Sequence, residues 1–434
     1  MEQAFAFGKG ELVLSLPKGP EYQIIQAQSA HALADPQGAI EAALNRPIGG
    51  VPLAALAGGK KTATVVACDI TRPAPNALTL PPLLERLHRA GIPPEAVTIL
   101  IATGLHRAAT RAELDIILGP EIASCYRVVS HDAKHFAAHR FLGRTVRGTP
   151  VYIDEHLLAA DLHITLGLIE PHLMLGFSGG RKLIAPGVAA QETIRVIHSP
   201  RFMREERATE GSIPENPLHR ELLAIARMAR QDFILDVTLT PSRQISGVFA
   251  GEPEQAHAAG VDFLCDSSVV ELDEPVDAVI TSAAGYPLDL TFYQTIKGIT
   301  AAQHILRPGG KILVIAECGE GIGSAEFAGK LNQYRGAQEY LDEIQDIPVE
   351  VDQWQLEKLA LVERKHEVLL YTPGVASQAC GALSQRCYSS SQSAVDALFR
   401  RLPQPARVAL IPDGPYAYAR LASCASPALT ELRT

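Results

Sequence analysis

Three short stretches of this chain carry side chains suited to proton transfer and anion binding. In "CDITRPAP", Asp69, Thr71 and Arg72 precede Pro73 and Pro75. Prolines stiffen the backbone, and the guanidinium fork of an arginine suits a carboxylate or a phosphate. An Asp–Arg pair that only caps a loop is the plain alternative. In "ATGLHRAAT", His106 stands on a glycine turn beside Arg107. An imidazole accepts and donates a proton near neutrality, although a lone histidine is more often structural. In "PHLMLGFSGGRKLIAPG", His172 leads into Ser178, Gly179, Gly180, Arg181 and Lys182. Glycines there allow positive φ and a close approach of backbone to ligand. The stretch resembles a phosphate loop only in part, because Arg181 interrupts the Walker spacing and Leu183 stands where Ser or Thr belongs.

Further along, His198 in "IRVIHSP" is available as a metal ligand through either ring nitrogen. Tyr293, Gln294 and Lys297 in "GYPLDLTFYQTIKGI" share one face if that segment is helical, where a Gln and a Lys can grip a carboxylate. Their plain reading is the solvated start of a packed helix. Trp354, the only tryptophan, reads as core by itself. His131, His135 and His139 in "HDAKHFAAH" are spaced for one helical face, but without an H-E-x-x-H pattern and among polar neighbours they read as a solvated surface stretch.

The elements that position these groups are legible as an alternation. Apolar runs at 62–70, 96–104, 161–169, 277–285 and 311–318 read as strands, and "LTLPPLLERLHRAGI" between the first two has helical spacing. Strand, helix, strand in this order predicts an α/β fold with largely parallel sheets, whose chemistry gathers beyond the carboxyl ends of the strands. We expect two α/β domains flanking an active-site cleft, one over residues 1–268 and one over 269–400, with a tail from 401 to 434 returning to the first. "GEGIGS" after the last strand is glycine-rich but lacks the full dinucleotide fingerprint.

Bulk composition narrows the partners. The chain is 47% hydrophobic and 20% charged, which supports a large packed core. With 39 basic against 48 acidic residues the net charge is -9, which argues against nucleic acid. Seven scattered cysteines without C-x-x-C spacing fit a reducing compartment. No apolar run has the length of a membrane span, so we expect a cytoplasmic protein with no membrane partner.

Taken in order, "DITRP", "ATGLHR", "IEPH" with "GFSGGRK", "IHS" and "YQTIKG" resemble the nickel-pincer lactate racemase family over residues 60 to 370. The resemblance implies a nickel-pincer nucleotide, a nickel-bound pyridinium-3-thioamide-5-thiocarboxylic acid mononucleotide, tethered covalently to Lys182 and ligated by His198. It implies acid–base roles for His106 and His172, cofactor contacts from Asp69, Thr71, Arg72, Ser178 and Gly179, and substrate contacts from Arg72, Tyr293, Gln294, Lys297 and Trp354. It also implies cofactor-maturation proteins as partners and a small 2-hydroxy acid as substrate. In that chemistry a hydride leaves C2 while a histidine takes the hydroxyl proton, which avoids a carbanion beside a carboxylate. Alternatives are the same chemistry on a larger acid (malate, an aromatic lactate, a sugar acid), a non-catalytic nickel or cofactor carrier with no use for both histidines, and a phosphotransferase.

Overall fold

The computed structural model describes residues 1–26 and 30–422. The chain divides into two compact units. One comprises residues 29–197 and 207–267; the other comprises residues 1–28, 198–206 and 268–434.

In the first unit, a sheet orders its strands Ile245–Gly251, Phe233–Leu239, Leu162–Leu168, Ala63–Cys68, Val97–Ala102 and Arg127–Ser130. All neighbours pair parallel except the antiparallel edge strand Ile245–Gly251. Ala63–Cys68 and Leu162–Leu168 are buried along their whole length, as expected of strands covered on both faces. The helix Asn76–Arg89 crosses between two of them and buries Leu80, Leu83, Leu84 and Leu87, a stripe of i, i+3, i+4, i+7 spacing. These leucines join Val65, Ile99, Ile101 and Leu166 in one core.

The second unit is built on a parallel sheet ordered Glu367–Tyr371, Leu306–Ile315, Val276–Ser282, Arg407–Ile411 and Glu21–Ile24. Helix Phe292–Ala302 lies over one face, where Phe292, Ile296 and Ile299 meet Val279 and Val314. On the other face, Phe5, Leu14 and Leu16 of the amino-terminal hairpin pack with Leu313, Leu369, Leu398 and Val408.

This arrangement corrects the expected division at both ends of the chain. The break at Ser268 coincides with the end of the helix Pro253–Ser268. The first 28 residues and the stretch from 401 to 422, however, belong with the later unit, because Arg407–Ile411 pairs with Val276–Ser282 on one side and Glu21–Ile24 on the other. Residues 423–434 of the expected tail, with Cys424, lie outside the described residues. Residues 198–206 also join the later unit, an excursion that no pattern in the sequence signalled.

The histidine stretch at 131–139 is corrected as well. It is not helical: His131 follows the edge strand, Phe136–Ala138 forms a single tight turn, and His139 begins a hairpin strand that pairs with Pro150–Asp154. His131 and His139 are buried rather than solvated. Among the described residues, no helix is long and apolar enough to cross a membrane.

Candidate active site

Three adjacent parallel strands of the first unit deliver Asp69, His106 and Glu170 from their carboxyl ends. Asp69 directly follows Ala63–Cys68, and its Oδ2 lies 2.7 Å from Nδ1 of His106, which comes from the turn after Val97–Ala102. The Thr71 hydroxyl donates to Asp69 Oδ1 at 2.5 Å and the Thr71 amide at 3.2 Å. Burial works to raise the Asp69 carboxyl, but the His106 hydrogen bond and charge, Thr71 and Arg72 together hold it below the ordinary aspartate value. Asp69 is therefore an anion near neutrality, and it orients His106 with Nδ1 as the donor. The His106 side chain is 60% exposed, leaving Nε2 open to a ligand. Arg72 pairs with Glu170, from the end of Leu162–Leu168, at 3.3 Å.

His172 is set by a narrow hairpin in which Pro171–His172 pairs with Gly176–Phe177. Gly176 has φ +76, and a Cβ there would sit 2.0 Å from the Ser212 carbonyl oxygen, so only glycine fits. Within the hairpin the amides of Met174 and Leu175 donate to His172 Nδ1 at 3.4 and 3.3 Å. That assigns the lone pair to Nδ1 and the proton to Nε2, the opposite of His106.

The glycine loop that follows is anchored from behind. The Ser178 hydroxyl donates to the Leu168 carbonyl at 2.6 Å and accepts from the Glu170 amide at 3.1 Å, so it closes the loop. Gly179 has φ +82, and a Cβ there would meet Asp236 Oδ2 at 2.5 Å. The Gly180 amide donates to the same Asp236 oxygen at 2.7 Å. Arg181 is fully buried, donating to the carbonyls of Leu175 and Phe177 at 3.0 and 2.9 Å and to His257 Nε2 at 2.6 Å. Burial pushes Asp236 up to about 7 and His257 down to about 3. Arg181 is thus the structural half of the Arg-Lys pair, and Lys182 beside it is half-buried. The Lys182 carbonyl accepts from Gly187, whose own carbonyl accepts from Gly104 at 3.0 Å, so the lysine loop and the His106 turn are directly tied.

In the second unit, the His198 ring packs on Trp354 with centroids 4.6 Å apart. Thr291 caps the helix Phe292–Ala302, which carries Tyr293, Gln294 and Lys297 as half-buried neighbours. The Gln355 side chain donates to the Tyr293 carbonyl at 2.8 Å. Gln294 Oε1 is buried without a hydrogen-bond partner. Arg204 donates from Nε to the buried Glu357 at 2.9 Å, and the Lys358 ammonium donates to the Met203 carbonyl at 3.1 Å, which fixes the segment that begins at His198.

Residues 7–211 match the lactate racemase N-terminal domain and residues 272–416 the lactate racemase C-terminal domain. The chain belongs to the lactate racemase family. The lactate racemase of Thermoanaerobacterium thermosaccharolyticum is 34% identical over 374 residues, 84% of this chain and 87% of that protein. The lactate racemase of Lactiplantibacillus plantarum is 34% identical over 395 residues, 90% of this chain and 92% of that protein. The solved lactate racemase apoprotein from T. thermosaccharolyticum superimposes with a TM-score of 0.88 at 30% identity, covering 97% of this chain and all (100%) of that one.

Within this lactate racemase fold, Asp69, Thr71, Arg72, His106, His172, Ser178, Gly179 and Lys182 all fall in the first unit, and His198, Tyr293, Gln294, Lys297 and Trp354 in the second. Sequence reading missed the groups that hold them: Glu170 against Arg72, Asp236 and His257 behind the glycine loop, and Arg204 with Glu357 behind His198. Two of them left a trace: Glu170 inside "IEPH", and Asp236 as a carboxylate inside the apolar run "FILDVTL".

Proposed function

We propose that this chain interconverts the enantiomers of a small 2-hydroxy acid, lactate or a close analogue, with His106 and His172 as alternating proton acceptor and donor. The observation that carries this reading is the opposite set of the two rings. His106 is held by Asp69 with Nε2 as the accepting nitrogen, while His172 is held by backbone amides at Nδ1, which puts its proton on Nε2. A racemase needs such a pair, because the two enantiomers present their hydroxyls in different directions and each histidine must act as base in one direction and acid in the other.

The residues fit a nickel-pincer nucleotide. A half-buried amine at Lys182 follows two glycines whose Cβ positions are already filled by Asp236 and His257, an imidazole stands at His198, and Gln294 Oε1 is buried with an unused acceptor. Lys182 would hold the group covalently and His198 would ligate its nickel, with Asp69, Thr71, Arg72 and the Ser178–Gly179 backbone around it. When bound, the group supplies an acceptor and donor of hydride at C2. The chain's own residues then do the rest: His106 or His172 takes the hydroxyl proton, the other returns one, and Arg72, Tyr293, Gln294, Lys297 and Trp354 hold the carboxylate and exclude water. Cofactor-maturation proteins would be its partners, and the cytoplasm its compartment.

The test is a chiral assay on D- and L-lactate, with malate, phenyllactate and sugar acids alongside, using protein produced with the maturation proteins. Wild type should racemise a 2-hydroxy acid, and His106→Ala and His172→Ala should each lose about 10²- to 10⁴-fold. Turnover that survives both substitutions, or ATP hydrolysis in place of racemisation, would refute the reading. A cofactor carrier would keep its bound nucleotide and show no turnover in any form.

A further inference from the structure

Outside the catalytic groups, the first unit contains a buried cluster of His131, His139 and Asp154, one donor atom from each lying within 4.8 Å of the others. His131 sits beyond the edge strand Arg127–Ser130, His139 opens one strand of the hairpin, and Asp154 ends the other. All three are more than nine-tenths buried. We propose that these three side chains form a binding site for a divalent first-row transition ion of the zinc class, separate from the groups assigned to the nickel-pincer nucleotide.

The hydrogen-bond pattern around the cluster is that of a ligand set held from outside. His131 Nε2 lies 3.0 Å from the Ala189 carbonyl, which fixes the proton there and leaves Nδ1, 2.9 Å from Asp154 Oδ2, as the inward nitrogen. His139 Nδ1 lies 3.1 Å from the His135 carbonyl, which likewise leaves Nε2. That Nε2 is buried and has no hydrogen-bond partner. An imidazole whose outer nitrogen donates to a carbonyl while its inner nitrogen keeps a lone pair is the usual arrangement of a metal-bound histidine. Asp154 is supported in the same way, its other oxygen accepting from the His156 amide at 2.8 Å and facing His156 Nδ1 at 2.8 Å.

Two imidazoles and one carboxylate favour zinc, cobalt or nickel over calcium or magnesium. A tetrahedral ion needs its donors ~3.4 Å apart, which asks His131 Nδ1 and Asp154 Oδ2 to part from 2.9 Å and the wider pairs to draw in. Such an ion would clamp the edge of the sheet to the hairpin and to the segment after Lys182, where the Asp154 amide already donates to the Val188 carbonyl at 3.0 Å. A water would complete the tetrahedron, and because the cluster is closed off from bulk solvent the ion's role would be structural. The competing arrangement is a metal-free ion pair, with His131 doubly protonated against Asp154 and His139 left unbonded.

Cobalt titration of the full chain, produced without maturation proteins, separates the two. Saturable d–d absorption should appear in wild type, persist in the Lys182→Ala/His198→Ala double variant, and disappear in His139→Gln with the far-UV circular dichroism unchanged. His156→Ala, which removes the imidazole contact to Asp154 and keeps the backbone one, should weaken cobalt binding roughly 10- to 100-fold. Absence of the absorption in wild type, its persistence in His139→Gln, its loss in the double variant, or unchanged affinity in His156→Ala would overturn the proposal. Because the double variant lacks the cofactor tether and nickel ligand, failure of the racemase reading leaves this result unaffected, and the reverse holds too.

Discussion

Asp69 and His106, which leave the ends of two neighbouring parallel strands, meet at 2.7 Å through Oδ2 and Nδ1. The carboxylate is almost buried while the imidazole is mostly exposed, so the pair presents one oriented ring nitrogen outward from a fixed base. Asp69→Asn keeps the shape but can present an amide N–H to Nδ1, turning the ring to the wrong tautomer. Turnover should fall by about 10²-fold or more with KM changed far less. Steady-state kinetics in both directions check this; a fall in affinity alone would mean that Asp69 serves only to hold a ligand.

Arg204 is the partner of a carboxylate that has no exposure at all. Burial raises Glu357 above its ordinary value, and Arg204 is the largest influence opposing that rise. Removing one member of a buried pair costs about 3–5 kcal/mol, and the partial exposure of Arg204 brings the expectation for Arg204→Ala toward about 2 kcal/mol. A carboxyl whose folded pKa lies above its unfolded one binds more protons when folded, so stability falls as pH rises. The variant's deficit should therefore be larger at pH 8 than at pH 5 in urea unfolding.

His257 gives the opposite slope. Its folded value of about 3 lies below the ordinary 6.5, so between those limits the unfolded chain binds the extra proton and stability rises with pH. The slope from this one group approaches about 1.4 kcal/mol per pH unit. Asp236, raised from 3.8 to about 7, opposes it over nearly the same range, so wild type alone shows only the remainder. His257→Gln keeps an acceptor for Arg181 and removes the titration. Its urea midpoint should fall less than that of wild type between pH 7 and pH 4.5, and equal falls would count against a neutral buried His257.

The strands that carry the site were legible because each is a short apolar run buried on both faces and ending in polar residues, as in Cys68 to Asp69 and Leu168 to Glu170. The condition under which Tyr293, Gln294 and Lys297 share a face is met, since they lie on the helix Phe292–Ala302. What sequence could not supply was partnership across long separations. Strand Glu21–Ile24 pairs with Arg407–Ile411, and no local pattern encodes a contact between residues so far apart. His131 and His139 misled for a related reason: their polar neighbours suggested solvent, as holds for His135, whereas the hairpin and the Ala189 carbonyl bury these two. Arg181 and Lys182 look equivalent in sequence, and only the carbonyls of Leu175 and Phe177 show which one the loop retains.

The most direct measurement is intact-mass and peptide mass analysis of Lys182, with nickel quantification, on protein made together with the maturation proteins and assayed for racemisation in the same preparation. The account predicts a nucleotide-sized mass addition at Lys182, nickel in the same fraction of chains, and loss of mass, this nickel and activity together in Lys182→Ala. Fully active protein with an unmodified Lys182 and no nickel would contradict it.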